Sequence, residues 1–78
     1  MNYIEKYNNI FMKTFSLTED DLNKNPTMND IELWDSVGHI NLIAEIEDEF
    51  NIEISIDEMS ELTSYKKGKE LIEKHTSI

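Results

Sequence analysis

The feature that most constrains the fold is a stretch of helical periodicity from Ser36 to Phe50 whose two faces differ. At about 100° per residue, one face gathers mostly large apolar side chains. Its members are His39, Leu42, Ile43, Ile46 and Phe50. The opposite face gathers smaller apolar and polar residues: Val37, Ile40, Asn41, Ala44 and Asp48, with Glu47 at its edge. The first face is typical of a helix that packs on a core. The residues of the second face are not required for that packing.

The residues at the start of this helix form a candidate modification site. Asp35 is a typical N-cap residue. Ser36 then stands in the first turn, where backbone N–H groups lack intrahelical partners and the helix dipole is positive. A phosphate esterified to Ser36 would occupy a natural anion site. The sequence therefore predicts an exposed Ser36 hydroxyl that serves as a point of modification. The plainer alternative is an ordinary first-turn serine.

The other periodic segments predict an all-α bundle of three main helices, one short helix and a long first loop. Residues 3–15 place aromatic and aliphatic side chains on one side of a helix. A last helix is expected from residue 65 to about residue 75, capped by Thr63 or Ser64. Residues 57–60 are expected to form a short helix or turn. Residues 51–56 alternate like a strand but have no partner strand, so they are interpreted as an extended loop.

Residues 16–34 lack clear periodicity and predict the long loop. Residues 18–21 could form a short capped turn, and the single proline, Pro26, follows. Four apolar residues are expected to anchor this loop to the core: Met28, Ile31, Leu33 and Trp34. Trp34 either fixes the backbone beside Ser36 or simply fills the core, and the two interpretations are compatible.

Composition limits the function. The chain has 78 residues, no cysteine and a net charge of −10, so we expect a single small domain over residues 1–78 without disulfides or a thiolate zinc site. The charge argues against nucleic acid and anionic membrane surfaces and favours basic partners. The sequence has no long apolar run and no signal-peptide pattern, which predicts a cytoplasmic protein without stable membrane association. We also expect a monomer.

The motif Asp35-Ser36-Val37, followed by an acidic amphipathic helix that ends Glu47-Asp48-Glu49-Phe50, resembles the acyl carrier proteins. The resemblance continues through residues 51–54 and 58–62, and chain length and helix order are similar, so it covers nearly the whole chain. The three-letter motif alone is a weak signal, because so short a motif also occurs by chance in unrelated sequences. Joined to the helix, the acidity and the size, it is specific.

The resemblance implies that Ser36, flanked by Asp35 and Val37, carries 4'-phosphopantetheine, a flexible arm that ends in a thiol. A phosphopantetheinyl transferase would attach the arm from coenzyme A. The thiol would then hold an acyl or aminoacyl group as a thioester, exchanged with a loading enzyme and a downstream transferase or synthase. A protein of this kind is a carrier and not an enzyme. Gly38 is expected to leave room beside the arm.

The resemblance also gives a role to the second face of the central helix. It implies a docking surface for successive enzymes, made of Val37, Ile40, Asn41, Ala44, Glu47 and Asp48. The alternative is a solvated acidic face with isolated exposed apolar residues. Acyl chains could enter between helices, with Ile43, Ile46, Phe50, Ile54, Met59 and Leu62 as the lining. A static core of the same residues is equally consistent with the sequence.

Other functional classes fit less well. A catalytic Ser36 would need a base and an oxyanion site, but His39 points toward the core face and no glycine-rich nucleophile elbow is present. The acids lack the spacing of a calcium loop, and His39 and His75 are interpreted as structural, so no metal site is expected. An acidic interaction module without a prosthetic group and a D-alanyl carrier remain as alternatives.

The sequence departs from the pattern of fatty-acid-synthesis carriers, which typically have leucine after the serine and acids in the next turns. Here those positions are Val37, Gly38 and Asn41, and Ile56 stands where such carriers often have an acid. These departures favour a specialised stand-alone carrier of a polyketide, peptide or polysaccharide-related pathway.

Gly68, in the last helix, lowers helix propensity. We therefore expect another backbone to approach it closely.

Overall fold

The computed structural model describes residues 3–76, which form five α-helices. They are α1 (Tyr3–Phe15), α2 (Glu19–Asn23), α3 (Ser36–Phe50), α4 (Ile56–Glu61) and α5 (Tyr65–Thr76). The all-α prediction is confirmed, and the three main helices lie where the periodicity placed them. The predicted domain spans residues 1–78, of which residues 1–2 and 77–78 lie outside the described part of the chain.

The long loop contains a second short helix, α2, one more than predicted. The Thr18 side chain accepts a hydrogen bond from the Asp21 N–H at 3.3 Å, and the Asp21 carboxylate accepts one from the Thr18 N–H at 3.0 Å. This reciprocal capping box satisfies two N-terminal donors. The hydrogen bond from the Thr18 backbone N–H to the Asp21 carboxylate is also the main cause that lowers the pKa of Asp21. Buried Leu22 then fixes the new turn to the core.

Aromatic side chains form the centre of the core. The ring of Phe11 in α1 makes edge contacts with Tyr7, Phe15, Trp34 and Tyr65 at centroid distances of 5.7, 5.1, 5.1 and 5.5 Å. Trp34 also stacks on Phe15. Edge and offset-stacked pairs add to the free energy gained by burying these rings. Apolar residues of α3 and α5 complete the core: Leu42, Ile43, Ile46 and Ile72.

The long loop is anchored to the connection between α4 and α5. The Met28 N–H donates to the Thr63 carbonyl at 3.0 Å, and the Tyr65 N–H donates to the Pro26 carbonyl at 2.9 Å. Ile31 and Trp34 are buried and Met28 is half-buried, as expected, but the expectation for Leu33 is wrong because its side chain is 53% exposed. Ile31 and Trp34 take the core positions, and the turn closed by the bond between them leaves Leu33 facing outward.

The ends of α4 and α5 are fixed by side chains. Ser55 and Glu58 form a capping box at the start of α4, and the Ser64 hydroxyl accepts from the Lys67 N–H at the start of α5, so Ser64 is the cap. Glu58 also lies 2.9 Å from His75. The Ser55 N–H first, and then His75, lower the pKa of Glu58 to about 2.

The extended segment after α3 buries Ile54 and half-buries Ile52, as the loop interpretation expects. Gly68 differs from expectation. A Cβ there would lie 2.2 Å from the phenol oxygen of Tyr7, so the close approach is made by a side chain and not by the backbone predicted from the sequence.

Candidate functional site

Ser36 is the first residue of α3 and is exposed. Asp35 has an extended backbone, with φ −98° and ψ −166°, and its carboxylate accepts a hydrogen bond from the Gly38 N–H at 2.9 Å. Its carbonyl accepts the His39 N–H at 2.8 Å. Asp35 is therefore the N-cap that the sequence predicted, and it ends the preceding loop one residue before the hydroxyl.

The side chains of Trp34, His39 and Met59 join the start of α3 to α4. The Trp34 indole N–H donates to Nδ1 of His39 at 2.9 Å, and Nε2 of His39 lies 2.8 Å from the Met59 carbonyl oxygen. Because an indole N–H can only donate and a carbonyl can only accept, Nδ1 of His39 is the acceptor and Nε2 is the donor in this arrangement. We call this arrangement the Trp34–His39–Met59 bridge. It leaves neither ring nitrogen of His39 free to act as a base toward Ser36.

Gly38 does not leave room beside the serine, contrary to expectation. It is buried, and a Cβ there would lie 2.1 Å from the Leu33 carbonyl oxygen and 3.2 Å from the Phe15 ring. The missing side chain therefore lets the incoming loop cross the first turn of α3 at close range. That crossing fixes the backbone on both sides of Ser36.

The face of α3 predicted for docking lies in solvent. Val37 and Ile40 are 67% and 61% exposed, and Asn41, Ala44 and Asp48 are exposed as well. Leu33 and Ile56 are further large apolar side chains that the described residues leave exposed. The sequence predicts Leu33 in the core and makes no prediction for the exposure of Ile56. One signal was available for Ile56: it directly follows a serine that can cap a helix. The first residue of a helix often lies at the surface.

Glu47 differs from the other predicted docking residues. It is half-buried, and its carboxylate accepts a hydrogen bond from the Ile54 N–H at 2.9 Å. This bond fixes the segment that follows the left-handed Asn51 at the end of α3. Part of the acidity at this end of the helix therefore stabilises the fold, while Asp48 remains exposed.

The residues predicted to line an acyl-chain cavity belong to the packed core or its margin. Ile43, Ile46, Ile54 and Leu62 are buried, and Phe50 and Met59 are half-buried. Across residues 3–76, every buried side-chain nitrogen or oxygen has a hydrogen-bond partner. The same stretch contains no group of three or more His, Asp or Glu side chains arranged to hold a metal ion.

No family model matches the chain, and neither the curated proteins nor the solved structures compared with it contain a match. Among residues 3–76, no helix has both the length and the apolar character needed to cross a membrane. The described fold and site define a small helical protein with an exposed serine at the N-terminus of its central, acidic helix.

Proposed function

We propose that this chain is a carrier of the acyl carrier protein type, in which Ser36 bears 4'-phosphopantetheine. The observation that carries the proposal is the exposed Ser36 hydroxyl at the first position of α3, directly after the N-cap Asp35. A transferase must bring a bulky coenzyme A to this oxygen, and exposure makes that approach possible. The resulting phosphodiester would lie at the positive end of the helix dipole.

The proposal gives each part of the bundle a role. The arm carries an acyl or aminoacyl group as a thioester, and the protein itself catalyses no step. The three main helices and the loop between α1 and α3 serve as the acyl-carrier bundle that holds Ser36 in place. The specialised, stand-alone character inferred from Val37, Gly38 and Asn41 is part of the same proposal.

The exposed face of α3 is the proposed docking surface for the transferase, the loading enzyme and the downstream synthase. Val37 and Ile40 would supply apolar contact area beside the arm. Exposed acids farther along the helix, Asp48 among them, would attract and orient partners that carry basic patches. Such attraction weakens with salt, because solvent-exposed charges are screened over about 10 Å at 0.1 M ionic strength.

Intact-protein mass spectrometry tests the proposal. The chain is incubated with coenzyme A, Mg²⁺ and a broad-specificity phosphopantetheinyl transferase, and we expect one 4'-phosphopantetheine to be added. Ser36→Ala should abolish the addition and leave helix content unchanged by circular dichroism. Ser60→Ala is a matched control, because Ser60 is also an exposed helical serine. A chain that gains no mass with any competent transferase, or that gains it in Ser36→Ala, contradicts the proposal.

A second candidate is an acidic interaction module that docks a basic partner without any prosthetic group. The exposed pair Val37 and Ile40 favours it, since a docking face of this kind would not require a modified Ser36. Binding that persists in Ser36→Ala, together with no mass gain in the wild type, would support the module. A D-alanyl carrier differs only in its cargo, and loading with D-alanine would identify it.

A further inference from the structure

One side of α3 leads from the exposed Ser36 to the buried Ile43, and α4 contacts this side at His39. His39 lies three residues after Ser36, and Ile43 lies four residues after His39, so the three follow one another along one side of the helix. Across from them, α4 presents Met59. A chain that starts at Ser36 and runs between these two helices therefore meets His39 before it reaches Ile43.

The Trp34–His39–Met59 bridge spans this route. One ring nitrogen of His39 holds the Met59 carbonyl of α4 at 2.8 Å, and the other is held by Trp34 at 2.9 Å. Trp34 is 2% exposed and packs on Phe15 and Phe11, so His39 cannot swing aside unless it leaves its indole partner. The bridge is therefore fixed at its inner end by the aromatic core.

Helix α4 lies at the margin of the core, where Met59 is half-buried and packs against it. None of its six residues is buried. Its described polar contacts with other helices are the His39 bond to Met59 and the contacts of Glu58 with His75 and Lys74 in α5. The His39 bond is thus the one polar connection described between α3 and α4, and removing it would loosen α4 from this side of α3.

Beyond the bridge, the core is filled. Leu42 and Ile46 of α3 and Ile72 of α5 have no exposed surface, and Leu62 has 1%. An alkyl chain could enter only by displacing these side chains, because close-packed cores have few voids larger than a water molecule. A short or polar group on the arm has no such need, since it gains nothing from an apolar interior.

We infer that His39 closes the route between α3 and α4, so that a group carried on Ser36 stays outside the core. This inference rests on the proposed carrier function and names its substrate class: short or polar acyl groups, such as aminoacyl groups, in preference to long alkyl chains. His39 is then a specificity-determining residue that acts through the position of α4, without touching the reacting thioester.

The test compares two cargoes on the whole chain. A phosphopantetheinyl transferase loads Ser36 from decanoyl-coenzyme A or from coenzyme A alone, and mass spectrometry confirms each product. The readouts are Tm and the methyl NMR signals of Ile43 and Ile46. In the wild type we expect Tm to differ by less than about 1 °C between the two forms and these signals to stay in place, since a cargo outside the core does not stabilise the folded state.

The His39→Ala variant should behave differently. Without the bond to Met59, the decanoyl chain is expected to shift both methyl signals and to raise Tm by about 4 °C or more over the same variant with an unloaded arm. His39→Gln retains an amide N–H that can donate toward Met59 and should restore the wild-type behaviour. Glycyl-coenzyme A is the polar control and should move neither readout in any of the three proteins.

Each outcome separates the inference from the proposed function. A wild-type protein that accepts the decanoyl arm and shows shifted Ile43 and Ile46 signals overturns the inference and leaves the carrier function intact. A His39→Ala protein that excludes the chain as fully as the wild type overturns the role of His39. A wild-type chain that gains no mass at Ser36 overturns the proposed function. If His39→Ala does not fold, the wild-type comparison alone decides whether the cargo stays outside.

Discussion

Substituting Gly68 by alanine sets two effects of opposite sign against each other. In an exposed helix interior, glycine to alanine stabilises by about 1 kcal/mol, because alanine loses less backbone entropy on folding. At Gly68 the new Cβ would lie 2.2 Å from the Tyr7 phenol oxygen and 3.0 Å from the carbon that bears it. Tyr7 has no exposed surface, so its ring has little freedom to withdraw.

The contact cost is larger than the helix-propensity gain. Tyr7 donates to the Tyr65 carbonyl at 2.7 Å and stacks on the Tyr65 ring. Burial raises the pKa of Tyr7 well above its usual value, so the phenol stays neutral and keeps donating. Overpacking a core costs about 1–3 kcal/mol, and losing the hydrogen bond costs about 1 kcal/mol. After subtraction of the gain from alanine, Gly68→Ala should lower the free energy of unfolding by about 1–3 kcal/mol.

Urea unfolding followed by circular dichroism and by the fluorescence of the single tryptophan, Trp34, measures this change. The matched background is Tyr7→Phe, which removes the phenol oxygen and leaves the ring carbon at 3.0 Å as the nearest contact. There the same Gly68→Ala change should cost at least about 1 kcal/mol less, since contacting residues couple by about 0.5–3 kcal/mol. Gly68→Ala that stabilises the wild-type protein, or that costs the same in both backgrounds, would refute the reasoning.

Four further predictions concern the caps and charges. Asp35→Ala should lower the free energy of unfolding by about 1 kcal/mol in urea titration, through loss of the N-cap bond to Gly38; no change would argue against the cap. The folded-state pKa of Glu58, about 2, lies below the ordinary 4.5, so its contribution to stability is present above pH 4.5 and lost as pH falls toward 2. Between pH 6 and pH 2, Tm should therefore fall less in Glu58→Gln than in the wild type. Parallel curves of Tm against pH for the two proteins would contradict this. On the proposed docking surface, Asp48→Lys should weaken binding to the transferase by about threefold or more in low salt and less at 0.5 M salt, because the charge is exposed. An affinity equal to that of the wild type in titration calorimetry at both salt concentrations would remove Asp48 from the proposed surface. Glu47→Lys, in contrast, should also lower Tm, because it removes the acceptor of the Ile54 N–H.

Local sequence signals predicted the elements that depend on neighbouring residues. The cap at Asp35 and the two unlike faces of α3 were readable because an N-cap bond spans three residues and a helix face repeats every three or four. The first and last main helices followed in the same way. The short helix α2 in the loop was not predicted as a helix. The capping box of Thr18 and Asp21 spans a single turn, and the same residues would also fit an isolated turn.

Features that depend on distant residues could not be read from the sequence. Gly38 and Gly68 both look like weak points in helices, and only the fold shows what fills the missing volume: the Leu33 carbonyl in one case and the Tyr7 phenol in the other. The exposure of Leu33 also depends on tertiary packing, because Ile31 and Trp34 fill the nearby core positions. Propensity and periodicity carry no information about such contacts.

Trp34 joins the core to the candidate site. The sequence left two interpretations, a core residue or a residue that fixes the backbone beside Ser36, and the structure shows how one side chain does both. Its ring is buried against Phe15, while its N–H donates to His39 one turn into α3. The start of α3 is thereby held from the loop by Asp35, from the core by Trp34 and from α4 by His39. A hydroxyl on a helix end fixed from three sides needs little ordering when a partner binds, and the proposed carrier function would use such preorganisation with each of its enzymes.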